Sequence, residues 1–391
     1  MISTTLHRRP CGTRIPALIL AVMFGACSGL RLPQPLTVDG PDWPMFGKHE
    51  SRINATSEII TPPLTLSWDY DITGGIGNGS PLVIDSVLIV GNLRGELWAI
   101  NAYTGKRIGW IDLGDAIQGT PVIDGSIAII SLSNSDLSLI AFDLEEGKPL
   151  WRKEYGDIEA SPLLHNQKIY FGNTDGIFFC ADKTTGEQLW KFELPGNEKH
   201  KGIRSSAASS NNTIVFGAED GVVYALDAET GNLKWKHNTG ATVVSSPCIA
   251  DGNVHVGNLK GIVSAIDVQS GALQWRVDAG SSIYASASFA DGKIVVGTTG
   301  GLMYGLDAST GREMWKSNLG GVVNSGAVVA GNTIYVGTLK KSLFGLNVAD
   351  GSIIFRQEVQ GRIKTSPAVA NGRLFVATDE KLVLAFKGAA P

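Results

Sequence analysis

Beyond residue 80 the apolar residues come in short bursts that close on glycine: Leu88-Ile-Val-Gly91, Ile169-Tyr-Phe-Gly172, Ile214-Val-Phe-Gly217, Val254-His-Val-Gly257, Ile294-Val-Val-Gly297 and Ile334-Tyr-Val-Gly337. Bursts of this length, rich in Val, Ile and Tyr and bounded by turn residues, predict strands and not helices. A second stretch follows, ending in a turn and an aromatic. Its clearest copy is Ala225-Leu-Asp-Ala-Glu-Thr-Gly-Asn-Leu-Lys-Trp235, which returns with Asp267, Gly271 and Trp275, then with Asp307, Gly311 and Trp315. Earlier copies pair Gly105 with Trp110, Gly147 with Trp151 and Gly186 with Trp190, and a late copy pairs Gly351 with Phe355. These glycines recur every 39 to 45 residues. The period is that of a repeat architecture.

A second marker precedes each burst: Ser80-Pro81, Thr120-Pro121, Ser161-Pro162, Ser206-Ala207, Ser246-Pro247, Ser286-Ala287, Ser325-Gly326 and Ser366-Pro367. Eight markers predict eight units of about four strands each. A four-stranded sheet cannot bury both faces alone, and packing sheet against sheet around an axis solves that problem. The expected fold is therefore all-β, an eight-bladed β-propeller of four-stranded antiparallel blades. Trp68, Trp110, Trp151, Trp190, Trp235, Trp275 and Trp315 are expected to fill the gaps between blades.

The last unit lacks a tryptophan strand of its own, and an unassigned one, Leu64-Thr-Leu-Ser-Trp68-Asp-Tyr70, stands at the other end of the repeat region. Residues 64–70 are expected to complete the eighth blade as its outer strand, closing the ring and removing sheet edges. The propeller then spans 64–387, and residues 27–63, rich in proline and polar groups, are read as a lipidated tether.

The first 26 residues read as a signal peptide. Arg8, Arg9 and Arg14 precede the apolar run Ile15–Gly25, which is too short to span a bilayer. The run ends in Phe24-Gly25-Ala26-Cys27, which resembles a bacterial lipobox, with Phe24 where an aliphatic residue is usual. Cys27 is the expected lipidation site. Ser28 after it points by the same resemblance to the outer membrane, with the protein lipid-anchored and facing the periplasm. Loss of residues 1–26 takes the formal charge from −4 to −7. A mildly acidic chain without Lys/Arg clusters is no candidate for nucleic acid. No later apolar run is long enough for a membrane helix, so the membrane is reached through the anchor alone. The mature chain keeps Cys180 and Cys248 besides Cys27, with no CxxC or CxxCH, and the scattered histidines offer no metal spacing. No metal and no cofactor are expected.

The AxDxxTGxxxW spacing, with strands opened by Ser-Pro, resembles the repeat of the pyrroloquinoline-quinone-type propeller family over about residues 42–387. Two branches of that family bear on function. Quinoprotein dehydrogenases hold the quinone over the propeller axis with calcium, an Asp base and often a disulfide between adjacent cysteines. This sequence has neither adjacent cysteines nor a dense carboxylate cluster, so no catalytic residue and no enzyme activity are expected. The other branch is BamB, the outer-membrane lipoprotein of the β-barrel assembly machinery. Ser206 stands 16 positions after Trp190, against 10 to 12 at the other joints, and the residues between them read KFELPGNEKHKGIRS. In BamB a Leu-Arg pair in this connection holds the barrel protein BamA, and Ile203 and Arg204 fall at its place, with Lys199 and His200 adding positive charge. The acidic residues that BamB contributes from the next blade are missing from Thr242–Pro247. The resemblance thus implies a non-catalytic outer-membrane scaffold that binds a BamA-like assembly protein or another envelope protein. The alternatives are a lipoprotein propeller binding another protein or a polysaccharide, and a quinone-binding enzyme or sensor.

Overall fold

The computed structural model describes residues 29–135, 137–196 and 201–389, and no helix occurs among them. The strands form eight sheets, each of four antiparallel repeat strands. Blade 5 shows the plan, with strands at Cys248–Ala250, Asn253–Gly257, Ile262–Asp267 and Leu273–Asp278, from the axis outward. The middle strands are buried on both faces, which is why they are continuous apolar runs and do not alternate. The turn into the outer strand is fixed by Asp267, whose carboxylate accepts the N–H groups of Gln269 and Ser270, and by Gly271 at φ +73°.

That turn also sets the contact between blades. A methyl group on Gly271 would lie 2.8 Å from the Trp235 indole of the preceding blade. The indole N–H donates to the Val268 carbonyl at 2.9 Å. The same dock joins Trp68 to Ala102, Trp151 to Lys183, Trp190 to Ala228, Trp275 to Ala308 and Trp315 to Val348. Ring closure is as expected: Thr65–Asp71 pairs antiparallel with Leu382–Lys387 as the outer strand of blade 8.

Two expectations are corrected. Trp110 is not an inter-blade dock. Ala99 faces Gly109, where six other blades place a tryptophan and blade 7 places Phe355, and Trp110 is displaced by one residue to stack on Trp98 at 5.4 Å. The slot between blades 1 and 2 is taken instead by residues 29–32. A methyl on Gly109 would meet the Gly29 carbonyl at 2.6 Å, Leu30 is fully buried, and the Leu32 N–H donates to the Leu144 carbonyl at 2.6 Å. A backbone donor thus replaces the missing indole. The described part of the segment read as a tether, residues 29–63, is accordingly packed. Leu30, Leu32 and Leu36 join the core of blades 1 and 2 because these three leucines supply apolar bulk that Gly109 does not.

The rest of that segment fills the axial channel. Trp43 bridges to Val83, and the carbonyls of Glu50, Ser51, Ile53 and Asn54 accept the N–H groups of Ser209, Ile249, Phe289 and Val329 on the inner strands of blades 4 to 7. Ala55–Thr56 pairs in parallel with Val328–Ala330. Arg52 is buried in this channel, donating to the carbonyls of Phe46, Ala207 and Pro162. Burial lowers its pKa to about 9. Glu50 bonds His165 Nδ1 at 2.6 Å and accepts the Ser209 hydroxyl at 2.9 Å. The backbone bonds occupy the axial-edge N–H groups of the inner strands at Ser209, Ile249, Phe289 and Val329.

Candidate binding face

Inner strands begin at one end of the axis, and their first residues build a funnel there. The marker hydroxyls form a hydrogen-bonded arc. The N–H of Ser80 donates to Thr120 Oγ1 of the next blade, Thr120 to Ser161, Ser161 to Ser206, Ser206 to Ser246, and Ser246 to Ser286, at 2.6 to 3.2 Å. In blade 7 the strand Val328–Ala330 puts Gly326, not Ser325, at the ring position, so the marker there stands one residue earlier than its counterparts. Above the arc is a cavity of about 490 Å³, with Phe46 of the plug among its lining residues.

The next position outward from the ring explains the connection singled out in the sequence. Ile203 is fully buried over Gly172. Ile117, Val243, Ile283, Val323 and Ile363 cover the matching glycines of their blades. Ile203 is therefore a repeat core residue and not an exposed apolar anchor, a correction that the repeat alignment alone could have supplied. Arg204 follows it at the cavity wall with its side chain 41% exposed. It pairs with Glu159 and, through Nε at 2.7 Å, with Glu219, whose second oxygen accepts the Gly202 N–H at 2.9 Å. Sequence reasoning missed both carboxylates because they come from blades 3 and 4 rather than from Thr242–Pro247. The cue was available: Glu159 occupies the register of Arg204 in the preceding repeat. Lys199, His200 and Cys27 lie outside the described residues.

Across the mouth, Asp379 is shared by Arg362 at 2.5 Å and Lys364 at 3.6 Å. One side of the mouth thus carries two carboxylates on one guanidinium, and the other carries two cations on one carboxylate. Tyr284, exposed between them, supplies an aromatic face. A mouth with opposite charge excess on its two sides orients a partner of complementary polarity.

The family model described as outer membrane protein assembly factor BamB matches residues 65–192, 180–321, 259–350 and 299–390. The quinohemoprotein alcohol dehydrogenase of Comamonas testosteroni is 26% identical over 40% of this chain and 26% of its own length. BamB of Legionella pneumophila is 25% identical over 29% of this chain and 32% of its own length. The chain thus aligns with about a third or less of either relative. Among solved structures, BamB from Moraxella catarrhalis superposes with TM-score 0.71 at 21% identity, covering 83% of this chain and 99% of that one. The Comamonas dehydrogenase superposes at 0.76 with 16% identity, covering 90% and 83%. Such likeness shows the fold.

The resemblance to the dehydrogenase branch implies a quinone held with a calcium ion beside it. The funnel's residues do not match that group. Among the described residues no group of three His, Cys, Asp or Glu could hold a metal beside it.

Proposed function

The chain belongs to the family described as outer membrane protein assembly factor BamB, and on that premise we propose that it is a non-catalytic scaffold of the outer membrane that holds a protein partner on the funnel face. The partner class is an outer-membrane assembly protein of BamA type. The observation that carries this reading is Arg204: it stands at the mouth on a rigid blade edge, oriented by two carboxylates and still exposed. An arginine held in this way keeps a free donor for a partner's carbonyls at little further loss of side-chain entropy. The dehydrogenase reading has sequence relatives in its favour and finds no matching site in the funnel.

Lipidation at Cys27 belongs to the same proposal. Leu30, three residues after Cys27, is buried between blades 1 and 2, so an acyl chain on Cys27 would be tied to the body through at most about 11 Å of chain. The anchor would hold the propeller by the rim of blades 1 and 2, not on a long leash.

The test is capture of the partner from envelope extracts by wild type and by Arg204→Ala. Capture should fall at least about tenfold, roughly 1.4 kcal/mol, at an unchanged melting temperature. Ile203 is left intact, because truncating it would unsettle the blade core. Equal capture by both proteins would overturn the reading of this face.

A further inference from the structure

Each blade's outer strand is bulged just before the docking position, and the bulged residue has no partner across the strand pair. A bulge re-aims its side chain, here towards solvent at the outer edge. The bulged residue is Ile108, Leu150 and Leu189 in blades 1 to 3, polar in blades 4, 5 and 8, and apolar again as Met314 and Ile354 in blades 6 and 7. Ile108 and Leu150 flank the point where the N-terminal arm enters the ring. The Gly29 carbonyl and Leu30 lie against Gly109, beside Ile108, and Leu30 and Arg31 lie against Gly147, three residues before Leu150. Arg31 Nε donates to the Glu145 carbonyl at 2.7 Å, so its charge stands at the same edge. A single exposed leucine needs no explanation, but the charge around these two residues does. Within three residues of Ile108 and Leu150 stand Lys106, Arg107, Lys148, Arg152 and Lys153 and no acid, while the same windows around Met314 and Ile354 each carry a net charge of +1. Lys148 pairs with Glu146 at 3.7 Å and Lys153 with Glu187, whereas Lys106 and Arg107 form no ion pair among the described residues. A chain of net charge −7 beyond residue 26 thus concentrates cations where its arm leaves the body.

We propose that the outer edge of blades 1 and 2 is a docking surface for a bilayer with anionic phospholipid headgroups. The two aliphatic side chains enter the headgroup region, and the flanking Lys and Arg side chains reach its phosphates with their stems on the apolar boundary. The arm is what favours a bilayer over an acidic protein. Leu30 is held in the ring, so an acyl chain on Cys27 would bring the membrane within about 11 Å of chain from this edge. The proposal rests on the lipidation reading only for what brings the edge to the membrane. Docking also sets an orientation. Inner strands begin at the funnel and the four strands alternate in direction, so the turn at Gly147 lies at the other end of the blade. An edge docked there leaves the funnel mouth clear of the bilayer and open to a partner.

The experiment uses the whole chain from Cys27, made without acylation and coupled through the Cys27 thiol to a maleimide phospholipid in vesicles. Cys180 and Cys248 are buried, so coupling is confined to Cys27. A dansyl-bearing amino acid replaces either Leu150 or Met314, which are equally exposed at 44% on opposite sides of the ring. In vesicles of phosphatidylethanolamine and phosphatidylglycerol, doxyl-labelled lipid should quench the probe at 150 at least about threefold more than the probe at 314. Arg107→Glu with Lys148→Glu should remove most of that difference at an unchanged melting temperature. The comparison of the two probe positions carries the test should the double variant fail to fold. Equal quenching at both positions, or full quenching at 150 in the folded charge-reversed protein, would overturn the proposal. No quenching at 150 would overturn it too and leave the cationic edge to an acidic protein. The anchor is made chemically and no partner is present, so failure here is distinguishable from failure of the lipidation or partner readings.

Discussion

Replacing Leu30 by Ala tests whether the N-terminal arm is a structural part of the ring. Leu30 is fully buried between blades 1 and 2, in the slot that Trp docks fill at six other joints. Truncating a buried leucine removes its transfer energy and leaves a cavity, at about 2–5 kcal/mol. The arm is held at this joint by few bonds, the Leu32 and Leu36 N–H groups and the Arg31 side chain among them, and can detach locally. Detachment caps the loss, so a cost of about 2–3 kcal/mol is expected. Denaturant unfolding followed by tryptophan fluorescence reads it directly, because the Trp98–Trp110 stack belongs to blade 1, beside the slot. The midpoint should fall at nearly unchanged slope. A protein beginning at Pro41 should lose at least as much, since Leu32 and Leu36 go too. Midpoints matching wild type in both variants would show that blades 1 and 2 close without the arm.

Burial pushes the His255 imidazole down to about 4, so the folded chain resists a proton that the unfolded chain takes near pH 6.5. Stability is full above about pH 6.5 and falls by up to roughly 3 kcal/mol as pH drops toward 4. His255→Val, the residue of blades 4 and 6 at this register, should remove that slope in a melting-temperature series, and a retained slope would assign it elsewhere. The Glu50 hydrogen bond raises His165, so its contribution is present at low pH and fades as pH rises through the raised value, equally in both proteins. Gly252→Ala and Gly271→Ala share a positive φ, but only the second meets an indole, so it should cost at least about 1–2 kcal/mol more; equal costs would remove the dock's steric basis. Cys27→Ala should release the protein from the outer-membrane fraction and remove acyl mass from its N-terminus, and unchanged membrane association would end the lipidation proposal.

Blade count was legible from a marker repeated eight times, and the closing strand at Thr65–Asp71 from the one tryptophan strand left without a blade. What failed to show in the sequence was long-range substitution of one group for another. Gly109-Trp110 differs from Lys234-Trp235 by one register step, and nothing local shows that Leu30 and the Leu32 N–H take the indole's place. The arm's proline content suggested a tether, while its three leucines were the informative residues. Arg204 lies at the funnel mouth, while Ile203 beside it belongs to a core position shared by the other blades. Its carboxylate partners come from 45 residues before and 15 residues after, a separation that no motif spans.

Photo-cross-linking in intact envelopes tests the central claim most directly. A benzophenone amino acid is placed at Tyr284 in the funnel mouth or at Tyr103 on the outer edge of blade 1, two positions equally exposed at 44%. The account predicts a strong adduct from Tyr284 to an outer-membrane assembly protein, lost with Arg204→Ala, and little or none from Tyr103. An adduct from Tyr103 with none from Tyr284 would contradict it.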